Sequence, residues 1–238
     1  MNSICELISV SKKYGNHTIL QDISLSVVRG EMIAITGASG SGKTTILNLI
    51  GMLEEPDAGN IKLFGENLPR PRSSHANELL RNRIAYLFQN FALIDNATVS
   101  TNLDIPLACS RKSKKEKHHL KLEALSRVGL NVSLKQKIHE LSGGEQQRVA
   151  IARIMLKPCD LILADEPTGS LDTSNRDEIL KILQQLNADG KTLIIVTHDP
   201  TVAQACSRTI YLKPQNQSNS FTFEGFPSQA CQNFRGDS

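Results

Sequence analysis

Residues 37–44 have the types and the spacing that bind the phosphate groups of a nucleotide. The segment reads Gly-Ala-Ser-Gly-Ser-Gly-Lys-Thr and fits the phosphate-binding loop (Walker A) pattern in full. Glycines let backbone N–H groups turn towards a phosphate, Lys43 can reach the β- and γ-phosphates, and Thr44 offers a hydroxyl group to Mg²⁺. The loop by itself predicts a nucleotide site without specifying the reaction. The predicted contacts are Gly37, Ala38, Ser39, Gly40, Ser41, Gly42, Lys43, Thr44 and Thr45.

A pair of carboxylates, Asp165 and Glu166, follows the apolar run at 161–164. Such a run predicts a buried strand, and open α/β sheets bind ligands at the carboxyl ends of their strands. We expect Asp165 to face Mg²⁺, directly or through water, and Glu166 to polarise the attacking water. An acidic pair can equally be a helix N-cap. The presence of a phosphate loop favours the catalytic interpretation.

The sequence Leu-Ser-Gly-Gly-Glu-Gln-Gln-Arg at 141–148 begins a segment with helical character. As a local feature, Ser142 is an N-cap and Glu145 completes a capping box. A capped helix start with small residues is also an anion site. One small domain does not need two separated helix starts to hold the same γ-phosphate, so this segment requires a second explanation.

These motifs together resemble the nucleotide-binding subunits of ATP-binding cassette (ABC) transporters, whose signature is Leu-Ser-Gly-Gly-Gln or Leu-Ser-Gly-Gly-Glu. The resemblance covers nearly all of residues 7–212. In that family the signature of one subunit closes over the ATP held by the phosphate loop of the other. The resemblance therefore implies a homodimer with ATP sandwiched between its copies. The residues implied to contact the other copy's ATP are Ser142, Gly143, Gly144 and Glu145.

Four further positions match the family pattern. Tyr14 resembles the aromatic residue that stacks on adenine, and Gln89 resembles the glutamine that senses the γ-phosphate and Mg²⁺. Asp172 resembles part of the loop that crosses the dimer interface, and His198 resembles the switch histidine on the γ-phosphate. Individually they also fit ordinary roles, such as a turn aromatic, a surface amide or a surface histidine. The resemblance implies catalytic roles for Lys43, Glu166 and His198, and metal-binding roles for Thr44, Gln89 and Asp165.

Segments 88–94, 98–107 and 167–172 are similar to a narrower branch, which includes lipoprotein-release, macrolide-efflux and bacteriocin exporters. This resemblance implies that ATP hydrolysis powers the export or extraction of a peptide, lipoprotein or amphiphile through a separate transmembrane permease. The alternative is a soluble ABC ATPase that acts on nucleic acid or ribosomes.

The apolar segment 89–107 is predicted to contact that permease. It includes Phe91, Ile94, Leu103 and Ile105. Some of these side chains must belong to the core, while others can line a groove that accepts a short helix of the partner.

The elements that must position these residues follow from hydrophobic periodicity. Short alternating runs between 7 and 28 predict an antiparallel β layer, and apolar runs at 32–36, 161–164 and 192–196 predict buried strands. Strands that alternate with helices predict an α/β fold, namely a P-loop NTPase parallel-sheet core with this β layer and an inserted helical subdomain. The expected organisation is an ABC ATPase domain at 1–212, with its helical subdomain at about 90–157, and a polar C-terminal tail at 213–238. In the helical subdomain, Leu122, Leu125 and Val128 are predicted to share a helix face.

Composition argues against several other classes of protein. No stretch approaches the roughly 18 apolar residues of a spanning helix, and the N-terminus does not read as a signal peptide. We therefore expect a cytoplasmic protein that is peripheral on the inner face of the cell membrane. The net charge of +3 is too small to indicate nucleic-acid binding, and the basic run at 111–117 is interpreted as a solvated helix face. The five scattered cysteines are interpreted as reduced thiols.

Overall fold

The strands of this chain form one antiparallel and one parallel sheet. The computed structural model describes residues 3–169 and 171–213. The antiparallel sheet contains β1 (Ser3–Tyr14), β2 (His17–Val28), β4 (Ala58–Leu63) and β5 (Glu66–Asn67), in the order β2-β1-β4-β5. The parallel sheet contains β3 (Met32–Gly37), β6 (Ile84–Leu87), β7 (Leu161–Asp165), β8 (Thr192–Val196) and β9 (Arg208–Leu212), in the order β6-β7-β8-β3-β9. The predicted α/β fold, with an antiparallel layer and a parallel sheet, is confirmed.

Helices connect the strands of the parallel sheet. The helices are α1 (Lys43–Ile50), α2 (Ser74–Asn82), α3 (Val99–Asp104), α4 (Lys114–Arg127), a 3-10 helix (Ile138–Glu140), α5 (Gly143–Met155), α6 (Thr173–Ala188) and α7 (Pro200–Gln204). Between β6 and β7 the described chain forms α3, α4, the 3-10 helix and α5, and adds no strand to either sheet. The boundaries of the helical subdomain, at about 90–157, stay a prediction.

Two hydrophobic cores lie on opposite faces of the parallel sheet. Successive side chains of a strand point to opposite faces, so β3 contributes to both cores. Ile33 and Ile35 pack with the antiparallel sheet and α1, whereas Met32 and Ala34 pack with α5 and α6. All four are almost completely buried, which explains why this strand is apolar throughout.

The register of the parallel strands brings three loops to one edge of the sheet. Val196 of β8 pairs with Ile35 of β3 on one side and with Asp165 of β7 on the other. All three strands run in the same direction, so their carboxyl ends meet. The phosphate loop, Glu166 and the residues after Val196 therefore begin side by side.

Helix α4 is held against α3 by a buried cation. Lys121 is only 6% exposed, and its Nζ donates to Ser100 Oγ at 2.8 Å and to the two carboxylate oxygens of Asp104 at 2.9 and 3.0 Å. The predicted face was partly wrong, because Leu122 is exposed while Leu125 and Val128 are buried. The long side chain of Lys121 can be buried next to α3 because its ammonium group pairs with the carboxylate of Asp104 there.

The segment 89–107 is divided between core and surface. Val99, Leu103 and Leu107 are buried in the core, whereas Ile94 and Ile105 are 52% and 49% exposed. Leu103 therefore cannot line a docking groove, and Phe91 is half-buried against the core.

A buried amide fixes the loop that precedes α3. Asn102 accepts the Ile94 N–H at 2.8 Å and donates to the carbonyls of Ile94 and Thr98 at 3.2 and 3.1 Å. These bonds satisfy a fully buried polar side chain and set the shape of the segment.

Other sequence-based expectations concern the cysteines, the tail and the membrane. Cys5, Cys159 and Cys206 are buried, and burial raises the pKa of each thiol, so all three stay protonated and act as packing groups.

The predicted tail lies outside the described residues except for Lys213. Within residues 3–169 and 171–213, no helix combines the length and the apolar character needed to span a membrane.

The division of segment 89–107 between core and surface predicts a difference in stability between two neighbouring truncations. Leu103→Ala leaves a cavity in the core and should lower the free energy of unfolding by about 2 to 5 kcal/mol. Ile105→Ala removes an exposed side chain and should change that free energy by less than about 0.5 kcal/mol. Urea unfolding of the two variants beside the unsubstituted chain measures both values. Equal losses would contradict the assignment of Leu103 to the core.

Candidate functional site

The phosphate loop connects the end of β3 to the start of α1. Gly42 caps α1 in the left-handed region, at φ 93°. A Cβ atom there would lie 2.6 Å from Leu20 Cδ2, so glycine is required by both conformation and space. The loop therefore lies directly against the antiparallel sheet, with the N-terminus of α1 open to the adjoining cleft.

The polar atoms of the loop fit a bound phosphate. Lys43 Nζ donates to the carbonyls of Gly37 and Ala38, at 2.9 Å each, and so holds its charge within the curve of the loop. Ser41 Oγ is buried and has no hydrogen-bond partner within the described residues. A buried hydroxyl without a partner, a lysine and a helix N-terminus make a site that an anion would complete.

Asp165 and Thr44 form the part of the site that fits a divalent cation. Thr44 Oγ1 donates to Asp165 Oδ1 at 3.2 Å. Burial raises the pKa of Asp165 and the charge of Glu166 adds to this, while the bond from Thr44 and the charge of Lys43 oppose it. A carboxylate that is partly desolvated beside a second carboxylate is stabilised by a cation.

Glu166 has an unusual backbone conformation that directs its side chain. Its φ is 45°, in the left-handed region that residues other than glycine seldom adopt. Its N–H donates to the carbonyl of Val196 at 2.9 Å, which anchors the turn to β8. The local strain is therefore balanced by a bond to the neighbouring strand.

His198 contacts the carboxylate of Glu166 at two points. The backbone N–H of His198 donates to Glu166 Oε2 at 3.3 Å, and His198 Nδ1 lies 2.9 Å from Glu166 Oε1. The Glu166 side chain is 13% exposed, whereas that of His198 is 68% exposed. The pair thus combines a shielded carboxylate with an imidazole that faces the cleft.

These residues line one cleft of about 360 Å³. The predicted residues that it brings together are Tyr14, Ser39, Gly40, Gly42, Lys43, Thr44, Thr45, Gln89, Asp165, Glu166 and His198. Gly37, Ala38 and Ser41 belong to the loop but do not line the cleft. The signature residues and Asp172 do not line it either.

Tyr14 lies at the cleft and is 47% exposed. Its hydroxyl donates to the carboxylate of Glu54, which in turn accepts a bond from Asn48 Nδ2 at 2.9 Å. Asn48 Oδ1 accepts the hydroxyl of Tyr86 at 3.1 Å. Sequence reasoning missed this series of hydrogen bonds. Its only local signal is Asn48, a polar residue among the apolar side chains of α1.

The signature residues form a surface together with the start of α6. Ser142 and Glu145 make the predicted capping box. A Cβ atom on Gly144 would lie 2.8 Å from Asn175 Oδ1, so only glycine allows α5 to approach α6 this closely. Asn175 donates from its side chain to Asp172 Oδ2 at 2.6 Å. The signature and Asp172 are therefore neighbours outside the chain's own cleft.

Gln147 connects the signature helix to the residues after Glu166. It is 1% exposed, and its Nε2 donates to the carbonyl of Pro167 at 2.5 Å. Its Oε1 and the Thr168 hydroxyl are buried and have no partner among the described residues. Sequence reasoning missed this residue because a glutamine near a helix start usually faces solvent.

A model of one protein family matches residues 20–169, and its description is "ABC transporter". The match includes the phosphate loop, the signature and the Asp165–Glu166 pair and covers more than half of the chain. The chain belongs to the ABC transporter family. ATP binding is a property of this family, so the predicted family and its nucleotide are confirmed.

Two curated relatives of the ABC family differ in length. The chain is 41% identical over 196 residues to "Macrolide export ATP-binding/permease protein MacB" of Shewanella sp. (strain ANA-3), covering 82% of this chain and 30% of MacB. It is 40% identical over 208 residues to "Uncharacterized ABC transporter ATP-binding protein YvrO" of Bacillus subtilis (strain 168), covering 87% of this chain and 91% of YvrO. The chain thus spans less than a third of MacB and nearly all of YvrO. The names of both relatives favour transport over the nucleic-acid alternative.

A solved structure supports the same assignment. It is described as "Dimeric structure of a post-hydrolysis state of the ATP-binding cassette MJ0796 bound to ADP and Pi". It superimposes with a TM-score of 0.82 at 35% identity and covers 93% of this chain and 100% of that one. The ABC ATPase fold is therefore confirmed, and the likeness to a cassette bound to hydrolysis products agrees with an ABC-type ATPase.

The bond from Gln147 to Pro167 predicts a kinetic effect. Gln147→Leu keeps the size of the side chain and removes the bond that holds the loop after Glu166. We expect kcat for ATP hydrolysis to fall about tenfold to a hundredfold, with little change in KM, because a misplaced catalytic group slows the chemical step.

Gln146→Leu is the matched control. Gln146 bonds to the carbonyls of Ile138 and Leu141, not to the loop after Glu166, so kcat should stay near its original value. A normal kcat for Gln147→Leu, at an unchanged melting temperature, would remove Gln147 from this role.

Proposed function

We propose that this chain is the ATP-hydrolysing subunit of an export-type ABC transporter and works as a homodimer on a separate transmembrane permease. The observation that carries this proposal is the division of the site. The cleft gathers Lys43, Asp165, Glu166 and His198, whereas the signature lies on another surface. One chain thus offers two incomplete ATP sites that a second copy would complete.

The cleft would hold ATP and Mg²⁺ in the arrangement that its polar groups favour. Lys43 and the backbone N–H groups of the loop would bind the β- and γ-phosphates, and Tyr14 would stack on adenine. Thr44, Asp165 and Gln89 would hold Mg²⁺, which when bound neutralises charge on the phosphates. The hydrogen bond from the Thr44 hydroxyl to Asp165 supports a shared cation site for these two residues.

Glu166 and His198 would carry out the chemistry on the water. A carboxylate that is largely shielded from solvent can orient the attacking water and withdraw its proton. His198 would fix the position of that carboxylate and face the γ-phosphate from the other side. The bond between the Glu166 N–H and Val196 keeps the group at the edge of the sheet.

The surface around the signature would close the site of the other copy. Ser142, Gly143, Gly144 and Glu145 present a capped helix start, which attracts the γ-phosphate. Asp172 lies beside it through Asn175 and would cross the interface. Closure would thus depend on ATP, and hydrolysis would separate the copies.

The permease would bind a groove of about 290 Å³ between α3 and α5. Ile105, Pro106 and Cys109 line one side, and Arg153 and Lys157 line the other. Among the residues that line it there is no carboxylate, so we expect the bound segment of the permease to carry apolar and acidic side chains. The name "ATP-binding/permease" of the MacB relative supports a membrane partner of this kind.

Arg153 provides a physical route from ATP to this groove. Its guanidinium donates to the carbonyls of Phe91 and Ala92, at 2.9 and 2.5 Å, just after Gln89. Both carbonyl residues have φ in the left-handed region, so this bond stabilises a bent loop. A movement of Gln89 on the γ-phosphate would therefore change the groove.

The proposed class of transported substrate comes from similarity to relatives of the chain. Similarity to the macrolide-export relative and to the lipoprotein and bacteriocin branch supports an amphiphile, peptide or lipoprotein as cargo. The permease would select it. The subunit would accordingly lie on the inner face of the cell membrane.

The roles in the cleft predict the behaviour of Glu166→Gln. This variant keeps all phosphate contacts and loses the group that withdraws the proton, so it should bind ATP and hydrolyse it at least about a hundredfold more slowly. It should elute as a dimer in size-exclusion chromatography with ATP and Mg²⁺, and as a monomer with ADP.

Lys43→Ala is the comparison for dimerisation. It removes the cation that faces the phosphates, so ATP should bind about ten to a hundred times more weakly and no dimer should form. Dimers of both variants in the absence of nucleotide would contradict an ATP-dependent interface.

The groove predicts the effect of Ile105→Glu on partner binding. A negative charge at this exposed position should repel an acidic partner segment and abolish copurification with the permease, while the isolated subunit keeps its ATPase activity. Ile8→Glu, at a side chain that is 44% exposed on the antiparallel sheet, is the control and should copurify normally. Normal copurification of Ile105→Glu would place the interface elsewhere.

A further inference from the structure

The basic run at 111–117 leads into the first turn of α4. Arg111, Lys112, Lys114, Lys115 and Lys117, here called the basic surface, form no ion pairs within residues 3–169 and 171–213. Glu116 is the one acid among them, and its carboxylate accepts the Ser113 N–H at 2.7 Å. The five cations and Glu116 together carry a net charge of +4, which is five minus one. The net charge of the whole chain is +3, so all the other residues together carry a net charge of −1. Positive charge is therefore concentrated on one side of the molecule.

The basic surface lies beside the proposed docking groove. Cys109 lines the groove, and Arg111 follows two residues later. On α4, Lys114 and Lys117 share a helix face with Lys121, which contacts Asp104 at the end of α3. Ile105, the next residue, lines the groove. The cations therefore stand at the rim of the groove.

The positive charge continues into the groove itself. Arg81, Arg153 and Lys157 line it, and none of the three pairs with a carboxylate within the described chain. Arg81 on α2, Arg153 on α5 and Lys157 just after α5 thus face the same groove, although α2 and α5 are far apart in sequence.

The basic surface does not serve the stability of α4. Lys114 and Lys115 occupy the first turn of this helix, where the positive end of the helix dipole disfavours cations. Acidic side chains would be equally soluble on an exposed face, and the helix dipole favours them in the first turn. The stability of the helix therefore does not account for these cations, which remain available to an anion outside the chain.

We infer that the basic surface binds anionic phospholipid headgroups of the membrane that contains the permease. This inference depends on the proposed docking in the groove, because a permease seated there holds the rim next to the lipid surface. Clusters of four to eight lysines and arginines at a membrane surface attract anionic lipids over about a Debye length. Lipid contact would add to the protein interface and orient the subunit under its permease.

The test uses the isolated full-length chain and lipid vesicles without any permease. Vesicles of phosphatidylcholine alone are compared with vesicles of equal parts phosphatidylcholine and phosphatidylglycerol in a flotation assay. We expect binding only to the anionic vesicles, and a loss of that binding as salt is raised. The variant Lys114→Glu/Lys115→Glu should bind at least roughly thirtyfold more weakly, because two cations are lost and two acids are added.

The variant is chosen so that misfolding cannot imitate the result. Acidic residues in the first turn favour the helix dipole, so its melting temperature should be unchanged or higher. Lys135→Glu/Lys181→Glu makes the same change of net charge at two exposed lysines outside the basic surface and should retain vesicle binding.

Three results would overturn the inference: equal binding to both kinds of vesicle, equal losses in the two double variants, or stronger binding to duplex DNA than to anionic vesicles at the same salt concentration. ATPase activity and permease copurification are measured on the same proteins. If both are normal while vesicle binding is absent, the lipid inference alone fails. If vesicle binding is present without ATPase activity, the proposed function fails instead.

Discussion

The site depends on the parallel register of β3, β7 and β8. Val196 pairs with both Ile35 and Asp165, so the carboxyl ends of three strands from distant parts of the chain lie next to one another. The phosphate loop, the carboxylate pair and His198 follow directly on those ends, so they lie close to one another without long connecting loops. A buried sheet with apolar side chains on both faces resists deformation, so it can hold the strained turn at Glu166.

Hydrogen bonds from two side chains of α5 connect this edge of the sheet to the rest of the chain. Gln147 ties the signature helix to Pro167, one residue after Glu166, and Arg153 ties the same helix to the loop after Gln89. Helix α5 therefore contacts both sides of the ATP site through two side chains less than two turns apart. A shift of α5 would alter the loop after Glu166 and the proposed docking groove together, which is the kind of coupling that a transport ATPase requires.

The helical segment between β6 and β7 is organised by buried polar groups as much as by apolar packing. Lys121 bonds to Asp104, and Asn102 bonds to the loop at 94–98. Each group is costly to bury alone and is satisfied only in one arrangement of α3 and α4. This specificity leaves Ile105 and the basic surface outside the core, next to the groove that Ile105 lines.

The sequence by itself determined the parts that depend on local chemistry. The phosphate loop, the capping box at Ser142 and Glu145, and the buried strands each follow from residue types within a few positions. Tertiary structure decided which faces are covered. Helical periodicity favoured Leu122 over Lys121 for burial, yet Lys121 is buried because Asp104, 17 residues away, faces it. Likewise, Gln147 has a role only because the fold brings Pro167, 20 residues away, to its amide. Periodicity reports how apolar a face is, but the partner that satisfies a buried polar group comes from another element, and no local pattern records it.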